Sequence, residues 1–297
     1  MDKYFELKIS INPEIEEIVS DICFSNFDCE GVVLAEEAYK DLEMTSTTRG
    51  TLRVFLKSIQ NNPAEILKTE REILKSRGFT DDELGSWEIT VDEKENQDWS
   101  EKWKENWTVT HVTEKITVVP SWLEYTPKKG EITITLDPGC AFGTGTHQTT
   151  QLCMKALEKY LKAGNSMADI GTGSGILAIL AKKLGGGEVY GCDNDETVID
   201  VAKENARKNN TNGILFEYKT ADKITKKYDF VCANILHHVL AEIMGDLKNI
   251  MKSGGEMVLS GILDEKKQVV LDSIEKHNLK IVEIMTQDQW VAFVVEN

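Results

Sequence analysis

From residue 145 to the end, strand-like and helix-like segments alternate with little room for anything else. The helical pattern of THQTTQLCMKALEKYL is followed by strand MADIG, helix GILAILAKKLG, strand EVYGCD and helix ETVIDVAKENARKNN. Strands ILFEYKT and YDFVCANI, helix LHHVLAEIMGDLKNIM, strand GEMVLSGIL and helix EKKQVVLDSIEKH come next. Such alternation demands crossover connections, and therefore an α/β fold with a mostly parallel sheet. The last two strands, LKIVEIMT and WVAFVVE, are separated by a short polar turn, so the sheet is expected to finish in an antiparallel hairpin.

The first 95 residues read differently. YFELKISI alternates like a strand, and PEIEEIVSDICFSNF sets Ile15, Ile18, Val19 and Ile22 at helical spacing behind Pro13. GVVLAEE and LRVFLKSI are strand-like, a helix is expected from Pro63 to Gly78, and SWEITVDE closes the series. The order β-α-β-β-α-β is the ferredoxin-like pattern of a small α+β domain. A length of 297 residues suits about two domains. The expected division is 1–95, a linker helix at 96–109 and a larger domain at 110–297. Asp98 is a candidate cap for the linker helix, and Trp99, Trp103 and Trp107 form one stripe along it, suited to packing.

Two glycine-rich stretches mark where chemistry can sit. DPGCAFGTGTHQTT, Asp137 to Thr150, is too glycine-rich for a helix and too long for a tight turn. DIGTGSG places Asp169 at a strand end and Gly171, Gly173 and Gly175 at the turn into a helix, where backbone amides can approach a ligand. About twenty residues on, YGCDND ends the next strand with Asp193, an acid placed to accept the hydroxyl protons of a ribose. The dinucleotide pattern is G-x-G-x-x-G, with a helix N-terminus facing a pyrophosphate. Here the spacing is G-x-G-x-G behind an acid. That favours S-adenosylmethionine, which carries no phosphate but does carry sulfonium and ammonium cations, over a nicotinamide dinucleotide. In CANIL, Asn234 ends another strand, at the carboxyl edge where open α/β sheets bind ligands. Its side-chain oxygen suits an amine nucleophile; its competing role is a cap for the helix that follows.

A net charge of −16 disfavours direct contact with nucleic-acid phosphate and favours a basic partner. The six cysteines form no CxxC pair, so a reducing cytoplasm and no zinc site are expected. MDKYFELKIS lacks the apolar run of a signal peptide, and GILAILA is far short of the ~20 residues that span a bilayer. With no heptad pattern or evident interface stripe, a monomer is expected.

LDPGCAFGTGTHQTT, DIGTGSGILAI, GCDND and ANIL, in that order and at that spacing, resemble the ribosomal protein L11 methyltransferase (PrmA) family over essentially the whole chain. The first motif is highly specific; the second alone indicates only a class I methyltransferase. The resemblance implies a seven-stranded, Rossmann-like catalytic domain and an N-terminal domain that captures the substrate protein. It implies S-adenosylmethionine-dependent methylation of lysine ε-amines and the N-terminal α-amine of that large-subunit ribosomal protein. Carried over by motif, Thr150, Gly171, Asp193 and Asn234 contact the cofactor, with Asp169, Gly173, Phe142, Gly143 and Thr144 beside them. Residues 142–147 form a loop over the cofactor and the substrate amine. Asn234 and His147 are the candidate catalytic residues, His147 being a base or else a cap for the following helix. The chain departs from the family in having Gln148 where Pro is usual, and His237 and His238 where a small residue follows NIL. These departures leave open a paralogous methyltransferase acting on another protein or a small-molecule amine.

Overall fold

Leu7, Ile9 and Ile11 alternate with Glu6, Lys8 and Ser10, as a strand with one core-facing side requires. In a computed structural model, which describes residues 3–27, 29–36, 50–56, 58–59, 62–95, 108–137 and 145–297, this segment is β1 (Lys3–Ile11). A 3₁₀ turn at Pro13–Ile15 leads into α1 (Glu16–Asn26). β2 (Cys29–Glu36), β3 (Gly50–Leu56), α2 (Pro63–Ser76), α3 (Asp81–Leu84) and β4 (Ile89–Glu95) follow. The α2 boundaries have local causes: the Asn62 side chain accepts from the Ala64 amide, Pro63 needs no amide partner there, and Gly78 leaves the helix at φ +103°. Among the described residues up to Glu95, α3 lies outside the sequence expectation. α3 is a single turn held by a reciprocal capping box between Thr80 and Glu83.

These strands form an antiparallel sheet in the order β2-β3-β1-β4. Leu7, Ile9, Leu52 and Val54 from the sheet meet Val19, Leu67 and Leu74 from the helices in one core. Glu6, on the other side of β1, is nevertheless buried, and it pairs diagonally with Arg53, which stands opposite Lys8 in the β1–β3 ladder. The chain divides into two compact units between Thr108 and Val109, and each is described by itself. The linker helix expected at 96–109, with Asp98 and its three tryptophans, lies outside the described residues except for Thr108 and Val109.

In the second unit, β5 (Thr110–His111), β6 (Ile116–Val119) and β7 (Ile132–Thr135) make a small sheet. Glu131, just before β7, accepts from Thr117 and Tyr125 hydroxyls and from the Lys128 amide, and these donors pull its carboxyl down to about 2. α4 (Gln148–Tyr160) then opens the alternation read from the sequence. It continues as β8 (Met167–Ile170), α5 (Ile176–Lys183), β9 (Val189–Asp193), α6 (Glu196–Lys208) and β10 (Ile214–Tyr218). β11 (Tyr228–Asn234), α7 (His237–Asn249), β12 (Met251–Leu263), α8 (Lys267–Lys276), β13 (Lys280–Gln287) and β14 (Trp290–Glu296) complete the chain.

The seven strands stand in the order β10-β9-β8-β11-β12-β14-β13. β14 is antiparallel to β12 and to β13, and the other pairings are parallel, so the expected parallel sheet with a terminal hairpin is present. Both faces are covered. Met167 packs on the side of Leu152, Ile179 and Phe230, whereas Ala168 and Ile170 pack on the side of Leu240, Met244 and Ile274. This is why β8 reads as a continuous buried run rather than an alternation. No helix among the described residues is long and apolar enough to cross a membrane.

Candidate active site

The strand order reverses between β8 and β11, and at such a switch point the crossovers leave a crevice beyond the carboxyl ends of the strands. Three strand ends meet the crevice: Asp169 near the end of β8, Asp193 at the end of β9 and Asn234 at the end of β11. The β8–α5 turn is tight. The Gly171 and Thr172 amides both donate to the Cys192 carbonyl at 2.9 Å. Gly171 has φ +73°, and a Cβ there would lie 2.4 Å from Cγ2 of Ile235. No side chain fits, so the glycine brings the turn directly against the residue after Asn234.

Asp193 reaches back over this turn. Its Oδ2 accepts from the Gly173 amide at 3.0 Å and its Oδ1 from the Asp195 amide at 3.1 Å. Each oxygen keeps a further lone pair, which is what a pair of vicinal hydroxyls needs. Asp169 is almost fully buried at 1% exposure; Oδ2 accepts from the Thr172 hydroxyl at 2.8 Å, and Oδ1 has no hydrogen-bond partner. Burial pushes the Asp169 carboxyl up to about 7, and Asp193 adds to the shift while Thr172 opposes it. Asp193 is raised by burial as well.

The β11 end is joined to the start of α4. Asn234 Nδ2 donates to Thr150 Oγ1 at 3.3 Å, and Asn234 Oδ1 is buried without a partner. Its competing role as a helix cap is not the one adopted: Leu236 occupies the cap position of α7 and no side chain caps that helix. His147 does cap a helix. Its Nδ1 accepts from the Thr149 amide at 3.3 Å and lies 2.8 Å from Thr149 Oγ1, while its ring meets the edge of Trp290 at 4.8 Å. Burial holds His147 down at about 4, so the ring is neutral at pH 7 and Nδ1 keeps the lone pair that the cap uses. Gln148, where the family resemblance expects Pro, donates from its amide to Asp288 in the turn of the terminal hairpin. That bond supplies a tie at the loop-to-helix junction.

Of the expected site residues, Asp169, Gly171, Gly173, Asp193, Thr150, Asn234 and His147 therefore form one connected set. Phe142, Gly143 and Thr144 lie outside the described residues. The described chain before them ends at Asp137, whose carboxylate accepts from the Ser121 amide at 2.7 Å and the Ser121 hydroxyl at 2.8 Å. Thr172, Ile235 and Ser260 were not legible as site residues. Thr172 and Ile235 sit inside the DIGTGSG and ANIL motifs without being singled out, whereas Ser260 looks in sequence like an ordinary core residue.

The donor set has a clear sense. Two buried oxygens without partners, on Asp169 and Asn234, and the carboxylate of Asp193 all offer acceptors. The charged group that acts on Asp169 is acidic, as is the one that acts on Asp193. These residues fit a ligand with cationic and hydroxyl groups better than a pyrophosphate, whose negative charge the two acids would oppose. A pH test follows. An unfolded Asp ionises near 3.8, and the folded carboxyl near 7, so the folded state holds the extra proton between these values and stability falls as pH rises through that window. Asp169→Asn should remove that fall, a difference on the order of a few kcal/mol between pH 4.5 and 7.5. Thermal melts of the ligand-free parent and variant across that range would show it; parallel profiles would contradict it.

The doubly wound sheet and its acceptor-lined crevice define an S-adenosylmethionine-dependent methyltransferase. The family model for ribosomal protein L11 methyltransferase (PrmA) matches residues 3–297, and the chain belongs to that family. A ribosomal protein L11 methyltransferase of Alkaliphilus oremlandii is 36% identical over 278 residues, 93% of this chain and 87% of the relative. One of Dictyoglomus turgidum is 33% identical, with 99% of each chain covered. The crystal structure of a ribosomal protein L11 methylase from Lactobacillus delbrueckii subsp. bulgaricus superposes with a TM-score of 0.61 at 32% identity, covering 64% of this chain and 98% of that one.

Proposed function

We propose that this enzyme methylates lysine ε-amines and the N-terminal α-amine of ribosomal protein L11, with Asn234 as the residue that receives the amine. The observation that carries this reading is the buried, unpartnered Asn234 Oδ1 at the end of β11. A buried acceptor without a partner costs about 1–3 kcal/mol, and a fold keeps such a group where a ligand supplies the donor. When bound, S-adenosylmethionine supplies an electrophilic methyl group on a sulfonium.

The chain's own residues do the rest. Asp193 holds hydroxyls of the cofactor, and Asp169 with the Gly171–Gly173 turn holds its cationic end. Thr150 fixes the Asn234 amide so that the oxygen accepts an N–H of the incoming amine and points its lone pair. The amine must arrive neutral; a free lysine has a pKa near 10.4, and desolvation in the crevice lowers it. His147 acts as the cap that ends the loop over the site. With its proton affinity so low and Nδ1 committed to Thr149, it is not the base. Phe142, Gly143 and Thr144 belong to that loop and cover the cofactor.

Residues 1–95 capture the substrate protein, 96–109 link, and 110–297 catalyse. The acidity is concentrated accordingly: residues 1–95 hold 22 Asp and Glu against 11 Lys and Arg, a net of −11 out of −16. Such a field speeds encounter with a basic ribosomal protein and disfavours nucleic acid. The enzyme works in the cytoplasm as a monomer, away from membranes.

Intact-mass spectrometry tests the reading. Enzyme, S-adenosylmethionine and recombinant ribosomal protein L11 from the same organism should give successive methyl increments. No increment, with cofactor binding demonstrated separately, would assign the chain to a different amine substrate.

A further inference from the structure

Ser260 is fully buried on β12, directly opposite Asn234 in the parallel register of β11 and β12. It makes two bonds to two different elements. Its hydroxyl donates to the Thr149 carbonyl at 3.1 Å, and its carbonyl accepts from the Ile235 amide at 3.2 Å. The first bond holds the opening turn of α4, which carries Thr150. The second holds the residue after Asn234.

The local backbone is shaped to allow this. The register between β12 and β14 shifts between Leu259 and Ile262, so Ser260 and Gly261 stand in a bulge outside that ladder. Gly261 has φ +85°, and a Cβ there would lie 2.3 Å from the Ile235 carbonyl oxygen. The bulge thus lets β12 close on the Asn234–Ile235 turn, while Ile235 in turn presses on Gly171. A ring of contacts results: Ser260 to Thr149, Thr150 to Asn234, and Ile235 back to Ser260.

The backbone bond to Ile235 needs no serine; any residue at 260 would make it. The hydroxyl is the part that depends on the side chain, and it spans from the strand beside Asn234 to the helix that orients Asn234. We infer that Ser260 is a positioning residue for methyl transfer: its hydroxyl fixes the first turn of α4 so that Thr150 holds the Asn234 amide in one orientation. This rests on the role given to Asn234 above.

Ser273 provides a matched control. Its hydroxyl donates to the Ala241 carbonyl at 3.1 Å, the same bond type at the same length, between α8 and α7 and away from the crevice. Ser260→Ala and Ser273→Ala each remove a serine-to-carbonyl bond of the same length, Ser273→Ala also removing a 3.5 Å contact from its hydroxyl to His277 Nδ1, and each should lower Tm. Only Ser260→Ala should lower kcat, by about tenfold, with KM for the protein substrate unchanged, because misplacement of a positioned group acts on the transfer step. Ser260→Cys, with a weak donor of nearly the same size, should recover part of the rate. A kcat for Ser260→Ala within twofold of the parent, or an equal loss in Ser273→Ala, overturns the inference.

A second readout does not need the methyl acceptor. In protein labelled with ¹⁵N-asparagine, the side-chain amide pair of Asn234, identified by its loss in Asn234→Ala, should stay sharp in Ser273→Ala and shift or broaden in Ser260→Ala. If the parent transfers no methyl to ribosomal protein L11, the substrate reading fails and the amide signal still decides the role of Ser260. An unchanged signal in Ser260→Ala overturns that role, and Ser260→Cys carries the same comparison should the alanine variant not fold.

Discussion

Asp193→Ala should weaken S-adenosylmethionine binding by at least about a hundredfold, measured by calorimetry at constant salt. A hydrogen bond to a charged acceptor contributes roughly 1.5–3 kcal/mol, and two ribose hydroxyls on one carboxylate together exceed the ~2.7 kcal/mol that a hundredfold requires. The loss has a second source. Asp193 also receives the Gly173 and Asp195 amides, so alanine releases the glycine turn as well as the ligand. Asp193→Asn separates the two. It keeps one acceptor oxygen and nearly the same shape, and should lose less affinity than alanine. Retained affinity in Asp193→Ala would remove the β9 end from the cofactor site.

The second large effect is expected at Asn234. Asn234→Ala should lower kcat roughly a hundredfold, in the range seen when a single preorganised group is removed from a transition state. It should change cofactor affinity far less. Stability separates this from simple damage. Alanine relieves the desolvation cost of the buried, unpartnered oxygen and also loses the bond to Thr150, so the two offset and Tm should change little. A variant that is as stable as the parent, binds cofactor and transfers slowly is the signature of an acceptor kept for function. Asn234→Asp retains an acceptor and loses the donor to Thr150, and should fall between parent and alanine. Equal kcat in parent and Asn234→Ala would place the amine elsewhere.

Much of this was legible in one dimension. The spacing of Gly171, Gly173 and Gly175 and the acid at Asp193 could be read because each is a local backbone demand: a turn, a close approach, a strand end. The β-α-β-β-α-β order was legible for the same reason, since period-2 and period-3.6 runs are local. α3 escaped because a single turn has no period to read, although its Thr80–Glu83 capping box stands in the sequence. His147 could be read as either a base or a cap. The Thr149 amide two residues on donates to its Nδ1, which shows the cap, and the ring packs against Trp290 far along the chain.

By itself the sequence determined the longer strands and helices, where the chain must turn without side chains, and which acids stand at strand ends. It did so because these follow from neighbours a few residues apart. Tertiary structure alone decided that Ile235 fills the space left by Gly171, that Ser260 stands opposite Asn234, and that Oδ1 of Asp169 and Oδ1 of Asn234 are buried with nothing to accept. Those properties depend on the order β8-β11-β12 and on register, which bring Asn234 beside Ser260 and Gly171 beside Ile235 although each pair is far apart along the chain. No local pattern encodes them, because burial and partnering are set by what packs across the sheet.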